Sequence, residues 1–194
     1  MNSIQIGLVD DNSEWLELMA YTIHQSKDLN IAWSTSAPKE ALHLAFTLTP
    51  DVIIIDVNLT GNQMDGLELA QTINALRPVK IIMISGSNHE SLICRSFLSG
   101  AVNFLLKDNL DELPGAIRNA FTKNRAYEVL IKHYQRAYQE LLFNRLTPAE
   151  KDIYLLRKQG QSITQIALAT QKSEGTVKNQ ISRARKKLKE QDWL

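Results

Sequence analysis

Acidic residues follow two apolar runs of the sequence, and their placement predicts a site for a cation. Asp10 and Asp11 come directly after the run 4–9, and Asp56 closes the run 52–55. Apolar runs of this length between helical patterns are typical of buried parallel strands. The carboxyl ends of parallel strands meet at one edge of an open sheet, where ligands bind. Three carboxylates at one edge repel one another unless a cation lies among them, and Mg²⁺ prefers such oxygen ligands.

Two further polar residues end predicted strands and could hold the oxygens of a phosphoryl group. Ser85 ends the run 81–84, and Lys107 follows the run 102–106. With Asp56 as the nucleophile, a hydroxyl and an ammonium group at the same edge complete the set needed to form an acyl phosphate.

The order of these residues resembles the receiver domain of two-component response regulators over about residues 1–110. The residues that carry the resemblance are Asp10-Asp11, Asp56, Ser85-Gly86, Phe104 and Lys107. The resemblance implies that a sensor histidine kinase phosphorylates Asp56. It also implies a regulator and not an enzyme, apart from its own phosphoryl transfer and dephosphorylation.

The resemblance further implies a role for each residue of the site. The Mg²⁺ ligands would be Asp10, Asp11, Asp56 and the backbone carbonyl of Asn58. Lys107 and Ser85 would each contact a phosphoryl oxygen, and Phe104 would rotate inward as the switch aromatic residue. One departure is that the loop 58–63 is longer by two residues than the family pattern.

The alternation of short apolar runs with amphipathic stretches predicts an α/β domain. The resemblance to receiver domains implies a flavodoxin-like, CheY-like, doubly wound sheet of five parallel strands. The strands are expected at 4–9, 30–35, 51–55, 80–85 and 102–106, and the helices at 12–25, 38–48, 65–76 and 89–98. We expect this receiver domain to span residues 1–110.

Residues 111–145 predict one long linker helix. One face of this helix forms a heptad seam, whose residues are spaced alternately by 4 and 3 positions. They are Leu113, Ile117, Ala120, Asn124, Tyr127, Ile131, Tyr134, Tyr138 and Leu141. A seam over about four heptads is typical of a coiled coil, and Asn124 at an a position favours two parallel strands. We therefore expect a homodimer through this helix. Two alternatives stay open, namely a simple connector between domains and a dimer through the receiver face near Phe104.

Residues 146–194 predict a small all-α helix-turn-helix domain. Thr147, Pro148 and Glu150 form the pattern of a capping box with proline in the first turn. Gly160 ends this helix, a second helix follows over 162–169, and Ser173 caps a third.

The third predicted helix is basic on its exposed faces, which favours binding to double-stranded DNA. Its expected DNA-binding residues are Thr176, Lys178, Asn179, Ser182, Arg183, Lys186 and Lys187. The segment resembles both the LuxR/NarL type of output domain and region 4 of sigma-70-type factors. We expect the fourth helix of the LuxR pattern to be absent, since the sequence ends at Leu194; this favours the sigma-like interpretation.

The charge distribution supports nucleic acid as a partner of one end of the chain. Residues 1–110 carry a net charge of −6, residues 111–145 carry +2, and residues 146–194 carry +5. Cys94 is the only cysteine, which fits a reducing, cytoplasmic location. No apolar run approaches the ~20 residues needed to span a bilayer, so no membrane partner is expected.

Two other functions remain as alternatives. The receiver domain could be a phosphorylation-independent scaffold for interaction or dimerisation, although all five site residues are present. The C-terminal domain could act as a sigma-factor-like partner of RNA polymerase. A haloacid-dehalogenase-like phosphatase is disfavoured because Asp56-Val57-Asn58 lacks the second acidic residue of that family's motif.

Overall fold

The structure, a computed structural model, describes residues 3–60, 65–122 and 125–189, with the side chains of 125–128 and 189 excepted. The chain divides into two compact units, Met1–Ile131 and Lys132–Leu194. The domain limits at residues 110 and 145 stay predictions.

The first unit alternates strands and helices along the chain, as the apolar pattern predicts. Its elements are β1 (Ile4–Val9), α1 (Ser13–His24), β2 (Leu29–Thr35), α2 (Pro38–Thr47), β3 (Val52–Asp56), α3 (Asp65–Leu76), β4 (Lys80–Ser85), α4 (Glu90–Leu98), β5 (Asn103–Leu106), a 3-10 segment (Lys107–Glu112) and α5 (Leu113–Phe121). The five strands form one sheet in the order β2-β1-β3-β4-β5, and all neighbouring pairs are parallel. This is the flavodoxin-like order, so the predicted fold is confirmed.

The central strand β3 is buried on both faces, which explains its unbroken apolar sequence. Successive side chains of a strand point to opposite faces. Ile53 and Ile55 therefore pack in a cluster with α2 and α3, whereas Val52 and Ile54 pack in a second cluster with α1 and α5. The two cores hold the sheet rigidly, and with it the residues at the carboxyl ends of the strands.

The prediction of a single long helix over residues 111–145 is wrong. α5 ends at Phe121, where Thr122 is extended with φ −72° and ψ 115°. The N–H and hydroxyl of Thr122 donate to the carbonyl oxygen of Arg118 at 2.8 and 2.5 Å, which closes the last turn. The next helix is α6 (Arg125–Asn144).

The predicted heptad seam is also divided by packing. Leu113 and Ile117 are fully buried in the core of the first unit, so they cannot face a second copy of the chain. Asn124 and the side chain of Tyr127 lie outside the described residues. An apolar stripe at steps of 3 and 4 suits a helix packed on a sheet as well as it suits a coiled coil. Across the described ranges, no helix combines the length and apolar character needed to cross a membrane.

The second unit contains the three predicted helices of a helix-turn-helix. They are α7 (Pro148–Lys158), α8 (Ile163–Thr170) and α9 (Glu174–Lys189). Capping boxes begin α7 at Thr147 and α8 at Ser162. In each, the cap hydroxyl accepts from the N–H of the third helical residue, and the backbone N–H of the cap donates to the side chain of that residue. The core contains Ile153, Ile166 and Val177, one from each helix.

Candidate phosphoacceptor site and nucleic-acid interface

The three predicted carboxylates meet at the carboxyl edge of the sheet. Asp10 follows β1 and Asp56 ends β3, so the two lie where the strand order reverses. Asp10, Asp11 and Asp56 each offer an oxygen within 4.8 Å of the others. Asp10 is fully buried and Asp56 is 4% exposed, whereas Asp11 is exposed. This cluster is the predicted site, formed by residues that the sequence places 46 positions apart.

Lys107 lies between the two buried carboxylates. Its Nζ is 2.7 Å from Oδ2 of Asp10 and 3.0 Å from Oδ1 of Asp56. The residue begins the 3-10 segment directly after β5, at the same edge of the sheet as the two acids. One ammonium group therefore contacts both buried acids. Its contact with a phosphoryl oxygen stays a prediction.

Backbone N–H groups hold the second oxygen of each buried acid. The N–H of Asn12 donates to Oδ1 of Asp10 at 3.0 Å, and the N–H of Asn58 donates to Oδ2 of Asp56 at 2.8 Å. Burial raises the pKa of the Asp56 carboxyl above its ordinary value, while Lys107 opposes the rise. Burial thus disfavours the ionised form of Asp56 more than Lys107 favours it, and a further cation beside the carboxyl would favour the ionised form.

The donor chemistry of the cluster fits Mg²⁺. Three carboxylates supply hard oxygen ligands, and one exposed acid, Asp11, leaves a side open to water and phosphate. The predicted contribution of the Asn58 carbonyl stays a prediction. Residues 61–63 of the loop 58–63 lie outside the described residues.

Ser85 ends β4, beside the end of β3. The register pairs Asp56 with Ile84, and the N–H of Val57 donates to the carbonyl oxygen of Ile84 at 3.0 Å. Ser85 is therefore one residue beyond this pair, at the same edge as Asp56. Its buried hydroxyl accepts from the N–H of Ser87 at 3.1 Å, and its proton can still donate. A Cβ on Gly86 would meet no atom within 4 Å, so the approach there is open.

Phe104 lies on β5 and is half-buried against the core cluster of the first unit. It pairs with Met83 of β4, next to the strand end that carries Ser85. The inward rotation of its ring stays a prediction.

Two residues of the site were not predicted from the sequence. The Nζ of Lys107 lies 5.0 Å from the centroid of the Trp15 ring. A Cβ on Gly66 would come within 1.9 Å of the carbonyl oxygen of Asp56, so only glycine allows α3 to begin this close to the acceptor. Gly66 comes ten residues after Asp56 in the sequence. That spacing was the available signal for its closeness to the acceptor.

The exposed faces of α9 agree with the predicted interface in all but one residue. Thr176, Lys178, Asn179, Ser182, Arg183 and Lys186 are exposed, whereas Val177, Ile181 and Ala184 are buried as expected. Lys187 differs from the prediction of an exposed residue. It is half-buried, and its Nζ contacts Oε2 of Glu150 at 2.7 Å.

Polar contacts hold the start of α9 against the preceding helix. The hydroxyl of Thr164 on α8 donates to Oε1 of Glu174 at 2.6 Å. Gln171 ends α8 in a left-handed conformation at φ 53°, which makes the tight turn between the two helices. The N–H of Thr176 donates to Oγ of Ser173 at 3.2 Å, which confirms Ser173 as a cap. The helix predicted to read DNA is therefore fixed at its N-terminal end.

Comparison with known proteins agrees with both units. The response regulator receiver domain family matches residues 6–118, and the sigma-70 region 4 family matches residues 133–188. The response regulator VraR of Staphylococcus saprophyticus is 30% identical over 97% of this chain and 92% of its own length. The nitrate/nitrite response regulator NarL of Escherichia coli K12 is 31% identical over 95% of this chain and 88% of its own length.

Solved structures support the same fold. The RcsB response regulator of Salmonella typhimurium aligns with a TM-score of 0.57 and 23% identity, over 97% of this chain and 93% of that one. The receiver domain of a NarL response regulator from Mycobacterium tuberculosis aligns with a TM-score of 0.57 and 21% identity, over 63% of this chain and 100% of that one. The chain therefore belongs to the two-component response regulator family, and it joins a receiver domain to a DNA-binding helix-turn-helix of the sigma-70 region 4 type.

Proposed function

We propose that Asp56 accepts a phosphoryl group from a phosphohistidine of a sensor histidine kinase, and that the phosphorylated chain controls transcription. A carboxylate oxygen of Asp56 attacks phosphorus in line, the phosphorus–nitrogen bond breaks, and the histidine nitrogen keeps the electron pair and gains a proton. The product is an acyl phosphate on Asp56. The observation that carries this proposal is Lys107, whose ammonium group contacts both Asp56 and Asp10.

The neighbouring residues would contact the phosphoryl oxygens and hold the metal ion. Lys107 lies where it can pair with a phosphoryl oxygen once Asp56 carries the phosphoryl group, since it is already 3.0 Å from an oxygen of that residue. Ser85 can donate its hydroxyl proton to a second oxygen. Asp10, Asp11 and Asp56 are the side chains that would hold Mg²⁺. When bound, Mg²⁺ neutralises the negative charge that builds up on phosphoryl oxygens.

The test is incorporation of phosphate from acetyl phosphate in the presence of MgCl₂. We expect the wild-type chain to gain one hydroxylamine-sensitive phosphate and the Asp56→Asn variant to gain none. Asp111→Asn is a matched control, because Asp111 is an exposed carboxylate outside the cluster. Equal labelling of wild type and Asp56→Asn would refute Asp56 as the acceptor, and no labelling of the wild type would favour the phosphorylation-independent scaffold.

We further propose that α9 places its exposed residues in the major groove of double-stranded DNA. Lys178 and Asn179 lie early in the helix, where base edges are within reach, and Lys186 lies later, where phosphates are contacted. Each phosphate contact makes the logarithm of affinity fall with that of salt concentration, with a slope near −0.9 per phosphate on B-DNA.

Binding titrations at several salt concentrations test this arrangement. Asn179→Ala should lose preference among sequences, whereas Lys186→Ala should weaken binding to all sequences and lower the salt slope by about one. Because Lys187 pairs with Glu150, Lys187→Ala should reduce stability as well as affinity. Affinity for DNA that does not depend on salt would contradict the proposed phosphate contacts, and absence of DNA binding would favour RNA polymerase as the partner.

We propose that the homodimer forms through an exposed apolar stripe on α6. This stripe replaces the predicted heptad seam, because part of that seam is buried in the first unit. This stripe comprises Leu130, Tyr134, Ala137 and Leu141, which step by 4, 3 and 4. Leu130 is 64% exposed and Leu141 is 56% exposed, and apolar residues at this spacing suit a second copy of the same helix.

Sedimentation equilibrium of the full chain tests the dimer. Leu130→Glu with Leu141→Glu should give monomers, because like charges would face each other across the stripe. Gln139→Glu adds a charge at an exposed position of α6 outside the stripe and should leave association unchanged. A dimer that survives the double substitution would place the interface elsewhere, with the receiver face near Phe104 as the alternative.

A further inference from the structure

The ammonium group of Lys107 has an aromatic neighbour as well as two carboxylates. Its Nζ lies 5.0 Å from the centroid of the Trp15 ring. A cation within about 6 Å of an indole face is attracted by the ring quadrupole. The Lys107 side chain is 12% exposed, and Trp15 is half-buried. The indole therefore forms one wall of the space that holds the ammonium group.

The first turn of α1 fixes Trp15 in this place. Asn12 caps the helix by accepting from the N–H of Glu14 at 2.8 Å, and its own N–H donates to Asp10 at 3.0 Å. The same short segment thus carries the acid that binds Lys107 and the ring that covers it. Trp15 lies three residues beyond the cap, on the first helical turn.

We propose that Trp15 is a positioning residue, which holds the Lys107 ammonium group against Asp10 and Asp56 and so raises the rate at which Asp56 gains a phosphoryl group. This inference rests on the proposed function of Asp56. A lysine side chain is flexible and its ammonium group is strongly hydrated, so water competes for it at a site near solvent. The indole replaces part of that hydration and keeps Lys107 beside the acceptor.

The expected size of the effect follows from the strength of cation–π contacts. Loss of such a contact changes an equilibrium by about two- to thirtyfold, from exposed to desolvated sites. If only molecules with Lys107 in place react fast, and these are a minority of all molecules, the phosphorylation rate falls by the same factor.

The first test measures the rate of phosphorylation by acetyl phosphate and MgCl₂ in Trp15→Leu and Trp15→Phe. Leucine is apolar but has no ring, so we expect the rate to fall about two- to thirtyfold. Phenylalanine restores an aromatic face and should recover most of the rate. A wild-type rate in Trp15→Leu, or equal rates in the two variants, would overturn the proposal.

The second test changes the ring electrons and leaves the shape of the side chain nearly unchanged. We expect 5-fluorotryptophan, and more strongly a difluorinated tryptophan, to slow the wild-type chain in graded order, because fluorine withdraws charge from the ring face. Trp15→Phe carrying the same analogues at Trp33 and Trp193 is the control, and its rate should not be graded. The role of Trp15 would be refuted if fluorination did not slow the wild-type chain, or if it slowed the control equally. This holds even if Trp15→Leu fails to fold.

The two proposals fail in different ways. If Asp56→Asn gains as much phosphate as the wild type, the proposed acceptor is wrong, and with it the function of the site. If labelling depends on Asp56 but its rate is independent of the Trp15 ring, only the positioning role is wrong.

Discussion

Ile117 and Ile131 were predicted to share one seam, and the structure gives them different surroundings. Ile117 lies on α5 and is fully buried in a core cluster with α1 and the sheet. Ile131 lies on α6 and is half-buried. Replacement of each residue by alanine removes the same atoms, so the difference between the two variants measures the difference in packing.

The magnitude follows from burial. A fully buried isoleucine replaced by alanine costs about 2–5 kcal/mol, because apolar contact is lost and a cavity remains. Against a domain stability of roughly 5–15 kcal/mol, this is a large fraction. With a urea dependence near 2 kcal/mol per M, the midpoint should fall by about 1–2.5 M for Ile117→Ala. Ile131→Ala should shift the midpoint of the first unit by less than half as much, since part of the side chain is already in water.

Urea titration of the full chain measures both variants, with tryptophan fluorescence as the probe. Trp33 is buried in the first unit and reports the unfolding of that unit. The association of each variant is measured at low urea by sedimentation. Equal midpoint shifts for the two variants would refute the division of the seam, as would a monomeric but fully stable Ile117→Ala.

Three further predictions concern the site and the second unit. Because burial raises the pKa of the Asp56 carboxyl, ionisation of this carboxyl opposes folding. The protonated carboxyl therefore contributes stability that is complete below its ordinary pKa of 3.8 and is lost as pH rises through the raised pKa. Asp56→Asn should therefore have a higher melting temperature than the wild type at pH 7. The difference between the two melting temperatures should narrow as pH falls toward 3.8. Gly66→Ala should cost about 1–3 kcal/mol and slow phosphorylation, because the new Cβ meets the backbone of Asp56, whereas Gly115→Ala has open space and should stabilise α5 by about 0.5–1 kcal/mol. The hydrogen bond from Lys187 lowers the pKa of Glu150 from 4.5 to about 2, so its contribution to stability is present above pH 4.5 and is lost as pH falls toward 2. Helical content followed by circular dichroism should show this loss for the second unit in the wild type and not in Glu150→Gln.

The sequence alone predicted the strands, their parallel arrangement and the residues at their ends. A run such as 52–55 is apolar at every position because β3 is covered on both faces, and this pattern is local. Asp10, Asp56, Ser85 and Lys107 could be assigned to one edge because parallel strands all end on the same side of a sheet. Capping residues such as Thr147 were also predicted, since a cap depends on residues only three positions apart.

Two contacts that the sequence did not indicate join distant parts of the chain. Trp15 and Lys107 are 92 positions apart, and no local pattern indicates that a lysine at one strand end meets an indole on the first helix. Lys187 pairs with Glu150 in the same way, across 37 positions.

The linker shows most clearly what the sequence determined and what the tertiary structure decided. Steps of 3 and 4 determine that residues 113–121 form an amphipathic helix, and the sequence contains that information in full. The same steps describe a helix packed on a sheet and a helix paired with its copy, so the partner of Leu113 and Ile117 is not a property of the pattern. Only the fold, which places both side chains among the residues of α1 and the sheet, decided that they stabilise the receiver core.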